Sequence, residues 1–475
     1  MADRLIVRRR TGDLETPVAA LLKLGADVPG HFLFESIHGG ERLGRYSFIG
    51  LAPATWFRIR NGTAETSETA DFASVTPLTE DPLSALKSFV ARARASSDMA
   101  DLPPMASGAF GYIGYDAIQY FEPVSIMTRD DLNVPEALLV IPRAVLIFDH
   151  LYQELLFVGR VFDGNADETN ALLDELEARL QSPAPLSPVD QSADELAFTS
   201  NTSQDQYFEM VETARTYIRA GDVFQVVPSQ RFTADFDRRP ISLYRALRRL
   251  NPSAFMFHMA LGDLVLVGSS PEILVRLRDG RVAIRPIAGT RPRSGDPAED
   301  ARRADSLLAD EKEMAEHLML LDLGRNDVGR VAAYGSVEVT ESFVIERYSH
   351  VMHIVSHVEG DLRDGLDAVD ALFAGFPAGT VSGAPKIRAM QIIDELEVSR
   401  RGVYGGAIGY FGWNGDMDTC IALRTAVLKD GKLHIQAGGG VVLDSDPQYE
   451  FDETVHKANA LKRAAALAAT YEFDQ

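Results

Sequence analysis

Two pairs of glutamates are spaced to grip a cation. Glu313 and Glu316 lie in DEKEMAEH, Glu450 and Glu453 in QYEFDETVHK. A spacing of three puts both members of a pair on one face of a helix. At about 100° per residue, Glu450, Glu453 and Lys457 share an arc of roughly 60°, while Phe451, Val455 and Ala458 occupy another face. Glu313, Glu316 and His317 likewise share one side, and Met314, Leu318 and Leu321 another. The apolar faces are expected to dock, leaving the carboxylates free to meet over one cleft. Mg²⁺ suits such a set, because it takes one or two protein carboxylates, keeps several waters and accepts an anionic substrate oxygen. The same spacing also serves a solvated helix face, with Glu453 and Lys457 as an ordinary i, i+4 ion pair. A di-iron site would use Glu453-x-x-His456, but no second E-x-x-H stands in a partner helix.

The elements that must position these groups are legible in the patterning. Residues 31–163 read as strand-rich: HFLFESI, RYSFIGL, ATWFRIR, GAFGYIGY, LLVIPRAVLIFD and ELLFVGRVFD. Asn165 to Gln181 has helical period. SPAPLSPVDQSADE, residues 182–195, combines proline, serine and acids and marks a linker. A helix is predicted after a Ser203/Gln206 capping box, closing at Gly221. The strand VFQVVPSQRF follows, then a meander of short strands from Phe255 to Thr290. A helix from Ala301 to Leu323 is expected to stop at Gly324 and the Asn326-Asp327 pair. Asp446-Pro447 supplies an N-cap and a first-turn proline for a last helix reaching about Thr470. Strands and helices without regular βαβ alternation predict an α+β fold.

The glycine-rich segments do not carry nucleotide fingerprints. GTVSGAPK, Gly379 to Lys386, lacks the adjacent Gly-Lys-Ser/Thr of a phosphate loop, and YGGAIGYFG lacks G-x-G-x-x-G. AGGGVV, Ala437 to Val442, either lets main-chain N–H groups approach a ligand carboxylate or makes a tight bend before the last helix.

A chain of 475 residues, 46% hydrophobic and 24% charged, has globular proportions. A net charge of −22 argues against nucleic acid and anionic membrane as partners. The single cysteine, Cys420, excludes an internal disulfide, fits a reducing cytoplasm and is expected to be a buried strand residue. MADRLIVRRR has no apolar h-region, so a secretory signal is not expected, nor is a spanning helix.

The motifs PIAGTRPR, DEKEMAEHLMLLDLGRNDVGRV, ERYSHVMHIVSHVEG, FPAGTVSGAPKIRAMQIIDELE, RRGVYGGAIGYF and IQAGGGVVLDSDPQYEFDETVHKA, in this order over residues 200–465, strongly resemble the chorismate-utilising enzymes. FESIHGGERLGRYSFIG resembles the amino-terminal domain of the anthranilate synthase component I group. The resemblance implies a layered α/β/β/α fold with mostly antiparallel sheets. It also implies a regulatory region over residues 1–181 intertwined with a catalytic one over 196–475.

Two positions discriminate within that superfamily. Ala288 stands in PIAGT where the p-aminobenzoate branch commonly carries a lysine nucleophile, and an alanine cannot attack. Gln225 in GDVFQVVPSQ stands where isochorismate synthases have a lysine base, and a neutral amide cannot deprotonate water. Direct attack by ammonia remains, which gives anthranilate. The runners-up are aminodeoxychorismate synthase and a non-catalytic tryptophan-sensing relative.

By the same resemblance, Mg²⁺ is held by Glu316 and Glu453 with Glu313 and Glu450 alongside, and His353 is the general acid. His350 and His357 are expected to be structural. Arg424, Tyr404 and the N–H groups of Gly438, Gly439 and Gly440 hold the enolpyruvyl carboxylate; Gly289, Thr290 and Thr380 make further contacts; Lys457 orients carboxylates or binds the substrate anion. Ammonia comes from glutamine through a separate amidotransferase subunit, in an assembly expected to be a heterotetramer, since Cys420 lacks a nucleophile's setting. Tryptophan feedback is expected at a pocket of Glu35, Ser36, Arg45, Tyr46, Ser47 and the NPSAFMF element with Ala254, Phe255 and Met256, where Ala254 and Phe255 replace the proline and tyrosine of the usual NPSPYMF.

Overall fold

Strand alternation decides the layering. Successive side chains of a strand face opposite ways, and in Phe32–Glu35 the rings of Phe32 and Phe34 enter one core while Leu33 enters another. Ala137–Asp149 does the same, with Val145 and Ile147 on the phenylalanine side and Ala144, Leu146 and Phe148 opposite. The phenylalanine side joins Phe48, Trp56, Phe110, Phe257 and Tyr410 in a core between two facing sheets, where Phe34 and Phe48 stack at 5.2 Å.

The outer faces of the sheets are covered by helices. Pro17–Leu24, Ala166–Leu180, Pro240–Leu250 and Pro447–Leu467 pack on one side, and Pro82–Arg92, Glu311–Val331 and Ala368–Gly375 on the other. The result is the expected α+β arrangement in α/β/β/α layers. In this computed structural model residues 3–38, 42–97, 101–185, 193, 195–348 and 351–472 are described. His350 and most of the 182–195 linker lie outside them. Among the described residues the strand ladders are antiparallel apart from the short pairing of Asp3–Thr11 with Ala95–Ser96, and no helix is long and apolar enough to cross a membrane.

The N-terminal and C-terminal halves share their sheets. Phe32–Glu35 pairs with Phe255–Leu261, and Gly108–Ile113 pairs with Ala407–Gly412. The glycine density of YGGAIGYFG has its cause here: a Cβ on Gly409 would stand 2.1 Å from the Asp418 carbonyl oxygen. Cys420 is buried in Met417–Ile421, as expected.

Local signals hold at most element ends. Ser203 and Gln206 form the reciprocal capping box, and Gly221 closes that helix in the left-handed conformation. Asp446 caps Pro447–Leu467, its side chain accepting from the Tyr449 N–H. The segment expected as one helix from Ala301 to Leu323 differs. It is two helices, Pro297–Leu308 and Glu311–Val331, because the Asp310 side chain caps a new start by accepting from the N–H groups of Lys312 and Glu313. Gly324 and Asn326-Asp327 do not end the second helix, which runs two turns further. Its Gly324 packs toward Ile284 and Pro286, and Asp327 is held by Lys386 at 2.7 Å.

Candidate active site

The two acidic helix starts converge. Glu313, Glu316, Glu450 and Glu453 all line one cavity of about 420 Å³, together with Ala288, Gly289, Thr290, His353, Thr380, Tyr404, Arg424, Gly438, Gly440 and Lys457. Gly439 sits behind the wall. A Cβ there would come within 3.1 Å of Glu450 Oε2 and 3.2 Å of Glu453 Oε2, so this glycine admits the carboxylates.

The charges in the cavity are unequally matched. Arg291 donates to Glu313 at 3.0 Å and Asp310 at 2.8 Å, and Lys457 pairs with Glu453 at 3.3 Å while donating to the Gly438 carbonyl at 3.0 Å. Lys457 is thus an i, i+4 partner of Glu453 that also lines the cavity. Among the described residues Glu316 has only the Gln225 amide at 3.5 Å, too long for a good hydrogen bond. Burial, then Glu313, raises its pKa; Gln225 lowers it and Glu453, close enough to act across the cavity, raises it further. Glu450, buried and accepting from the Ser445 hydroxyl at 2.7 Å, is pushed up to about 7 by burial, with Glu453 adding to the rise. Two carboxylates without a cationic partner, facing two more, form a donor set that a divalent cation would stabilise. Among the described residues no three of these side chains form a closed cage, and Mg²⁺ needs none because it keeps its waters. His317 belongs elsewhere: it is buried against Ser356 at 2.7 Å and under the Phe343 ring.

Opposite lies the anion-holding side. Arg424 has no carboxylate ion partner among the described residues, and burial lowers its pKa while the charge of Glu272 opposes the drop. Its backbone is left-handed, φ 47°. The Tyr404 hydroxyl accepts from the Gly438 N–H, and burial pushes its pKa up to about 12. Its ring lies 5.4 Å from the Arg401 guanidinium, which is buried in an ion pair with Glu397 at 2.6 Å. The Gly439 N–H is committed to the Pro228 carbonyl. The tri-glycine therefore serves mainly close approach; two of its three N–H groups are already used.

PIAGT forms the rim. Ile287–Pro292 pairs with Val351–Asp361 through a bulge after Ala288, and Gly289 takes φ 66° inside it. A side chain there would meet Glu313 and Leu307 at 3.0–3.1 Å. The Gly289 carbonyl accepts from His353 Nδ1 at 2.7 Å, with the Thr290 hydroxyl 3.2 Å from the same nitrogen. This fixes the Nδ1–H tautomer and leaves Nε2 for a ligand. Burial lowers the His353 pKa. His357 bonds Glu359, as expected of a structural histidine.

Among the lining residues with no role assigned from sequence are Glu272 and Arg291. Glu272, in the SSPEI turn between Leu264–Ser270 and Ile273–Arg278, is buried and accepts from the Thr380 hydroxyl at 2.8 Å. Burial pushes its pKa up to about 8. The signal was one acid between two apolar strands. Arg291 follows the PIAGT motif directly; its ion pairs to Asp310 and Glu313 span an interval no local pattern reveals.

A second, larger cavity of about 1180 Å³ is lined by Glu35, Ser36, Arg45, Tyr46, Ala254 and Phe255. Ser47 and Met256 do not line it. Strand alternation turns them inward, Ser47 onto His150 at 2.7 Å and Met256 into the helix-covered core. Glu35 is held by Arg248 at 2.7 and 2.9 Å and by the Tyr244 hydroxyl at 2.5 Å. Pro271 and Ile287 wall both cavities.

Fold and site together define a chorismate-binding enzyme: the sequence pattern of the chorismate binding enzyme family matches residues 31–463, and the chain belongs to that family. Within it, the chain is 49% identical to anthranilate synthase component 1 of Cereibacter sphaeroides over 479 residues, covering 99% of this chain and 96% of that one. It is 50% identical to the component of the same name from Pseudomonas putida, covering 96% and 94%. The crystal structure of anthranilate synthase component I from Streptococcus pneumoniae superposes with a TM-score of 0.81 at 37% identity, covering 95% of this chain and 98% of that one.

Proposed function

We propose that this chain is the synthase subunit of an anthranilate synthase, converting chorismate and ammonia to anthranilate and pyruvate at the head of tryptophan synthesis in the cytoplasm. The observation that carries this reading is the cavity wall at Ala288 and Gln225, where neither an amine nucleophile nor an amine base is present. Ammonia, already a competent nucleophile, needs neither.

Glu316 and Glu453, with Glu450 and Glu313 beside them, would hold Mg²⁺, whose chemistry is to neutralise the ring carboxylate and draw electron density from the ring. Arg424 faces them without a competing anion and suits bidentate pairing with the enolpyruvyl carboxylate. Thr380 and Gly440 bound that end. His353, held through Nδ1, presents Nε2 to the departing hydroxyl or to the proton shed by nitrogen. Burial lowers its pKa, and a dianionic substrate beside it would favour its protonation. Glu272, still carrying its proton at neutral pH, is a second donor within the same wall.

The sign of the pH effect follows. An acid whose pKa is raised to about 8 holds its proton below that value and loses it above, so kcat/KM should fall as pH rises through about 8. Glu272→Gln should lower kcat by roughly 10²-fold and flatten that limb. A limb unchanged in the variant would assign it to another group.

The nitrogen source is proposed to be an amidotransferase partner of the component II kind. The 1180 Å³ cavity is proposed to bind tryptophan as feedback inhibitor, with residues 1–181 as the regulatory region. Calorimetric titration with L-tryptophan should give saturable heat that is lost when Ser36 is replaced by Trp; no heat at millimolar tryptophan would reject this. The overall reading is tested by incubating the chain with chorismate, Mg²⁺ and ammonium and identifying the product by mass and fluorescence. The ortho-aminated product is expected, and a para-aminated one would reject the assignment.

A further inference from the structure

Arg291 joins the rim of the active-site cavity to the start of the acidic helix. It follows the bulge in Ile287–Pro292, and its Nη1 donates to the Thr290 carbonyl at 3.0 Å within its own strand. The same nitrogen donates to Glu313 Oε1 at 3.0 Å, and Nη2 donates to Asp310 Oδ2 at 2.8 Å. The other oxygen of Asp310 accepts from the N–H groups of Lys312 and Glu313 at 3.1 and 3.2 Å, which caps Glu311–Val331. Asp310 thus serves the helix start and the arginine together, and the guanidinium fork holds two acids that both line the cavity.

These contacts divide the acidic cluster. Glu313 and Glu316 share one face of the helix, yet Glu313 is engaged by a guanidinium while Glu316, among the described residues, has only the distant Gln225 amide. Gly289 completes the arrangement: Glu313 Oε2 lies 3.1 Å from where its Cβ would stand, so the absent side chain lets the carboxylate rest against the rim. The pair is partly buried, each side chain 25% exposed, and there the attraction between charges exceeds its value in bulk water. The division matters for a cation. Mg²⁺ is usually bound through one or two protein carboxylates together with waters and substrate oxygens. More protein carboxylates on the ion would offset its charge and leave a dianionic substrate less to bind.

We propose that Arg291 is a positioning residue that withholds Glu313 from the cation, so that Glu316 and Glu453 bind it and it stays open to a substrate carboxylate. The inference rests on the reading of the acidic cluster as a divalent-ion site. It also accounts for the arginine being tied to the rim as well as to the helix. The strand that carries Arg291 carries Gly289, whose carbonyl accepts from His353 Nδ1 at 2.7 Å. One guanidinium therefore keeps the histidine and the acidic helix at a fixed spacing.

Binding of Mn²⁺, an oxygen-seeking stand-in for Mg²⁺, is measured without substrate by the loss of its free EPR signal. Arg291→Gln should bind Mn²⁺ at least about fivefold more tightly than wild type, the change that one unit charge at contact makes even under bulk-water screening. KM for chorismate should rise in the same variant. Arg291→Lys keeps the charge without the fork and should fall between the two. The decisive comparison repeats Arg291→Gln in a Glu313→Gln background: with no carboxylate left to release, the gain in Mn²⁺ affinity should shrink at least about threefold, as coupled neighbours do. An equal gain in both backgrounds would reduce Arg291 to a distant positive charge, and unchanged or weaker Mn²⁺ binding in Arg291→Gln would reduce it to a brace for the helix. Either result overturns the proposal, as does an unchanged KM. Wild-type chain that binds no Mn²⁺ would instead sink the divalent-ion reading, and this inference with it.

Discussion

Glu316→Gln should lower kcat for chorismate at least about 10³-fold while leaving the protein folded. Glu316 is the carboxylate in the cavity with the poorest protein partner, a single amide at 3.5 Å, and its negative charge is what a bound divalent ion would require. An amide retains the shape and removes the charge, and the loss of one charge-stabilising group costs about 10²–10³ where it acts alone. The stability change has the opposite sign. A carboxylate whose pKa is raised in the folded state stabilises the fold below its unfolded pKa and loses that contribution as pH rises through the folded value. Both Glu316 and Glu450 are raised, Glu450 to about 7. Without divalent ions, Glu316→Gln should therefore match or exceed wild-type melting temperature at pH 8, with the gap closing toward pH 4. A variant that turns over chorismate normally, monitored by anthranilate fluorescence, would remove the acidic cluster from the chemistry.

Arg424→Ala should lower kcat/KM for chorismate about 10³-fold, roughly 4 kcal/mol of transition-state binding, chiefly through KM. The guanidinium lines the cavity and, among the described residues, has no carboxylate ion partner. A cation held in a partly buried wall with only the nearby Glu272 to offset it, and no ion pair, is costly to keep, which a dianionic ligand would repay on arrival. Arg424→Lys retains charge but not the two-pronged donor geometry, so it should recover only part of the loss. Thermal stability should not fall in either variant, because an unpaired charge is what is removed or softened. Steady-state kinetics with a melting curve decide it, and a KM within twofold of wild type would move the anion-holding role elsewhere.

What could be read from sequence, and what could not, divides by range. The capping box at Ser203 and Gln206, the Asp446-Pro447 start and the strand meander after Phe255 are set by neighbouring residues, and all three stand. The helix break at Asp310 was missed because an aspartate inside an acidic run looks like surface until its side chain is seen capping Lys312 and Glu313. Helical period correctly placed each carboxylate pair on one face. It could not say that His317, on the same side, turns onto Ser356 instead of the cavity, since an arc of 100° steps cannot tell the rim of a cavity from the sheet beneath it. Glu272 went unassigned for a related reason: burial raises its pKa, and the groups that oppose the rise, Thr380 and Arg424 among them, stand more than 100 positions away in the chain.

The interleaved strands carry an implication for how this enzyme can change. Phe32–Glu35 and Gly108–Ile113 are built into ladders with Phe255–Leu261 and Ala407–Gly412, so cutting the chain near residue 190 would strip partners from strands in the centre of the sandwich and leave sticky open edges. Any control exerted by the proposed ligand of the larger cavity could therefore not be shed by truncation. Under that proposal it would be lost only one side chain at a time, by substitution within an unbroken chain.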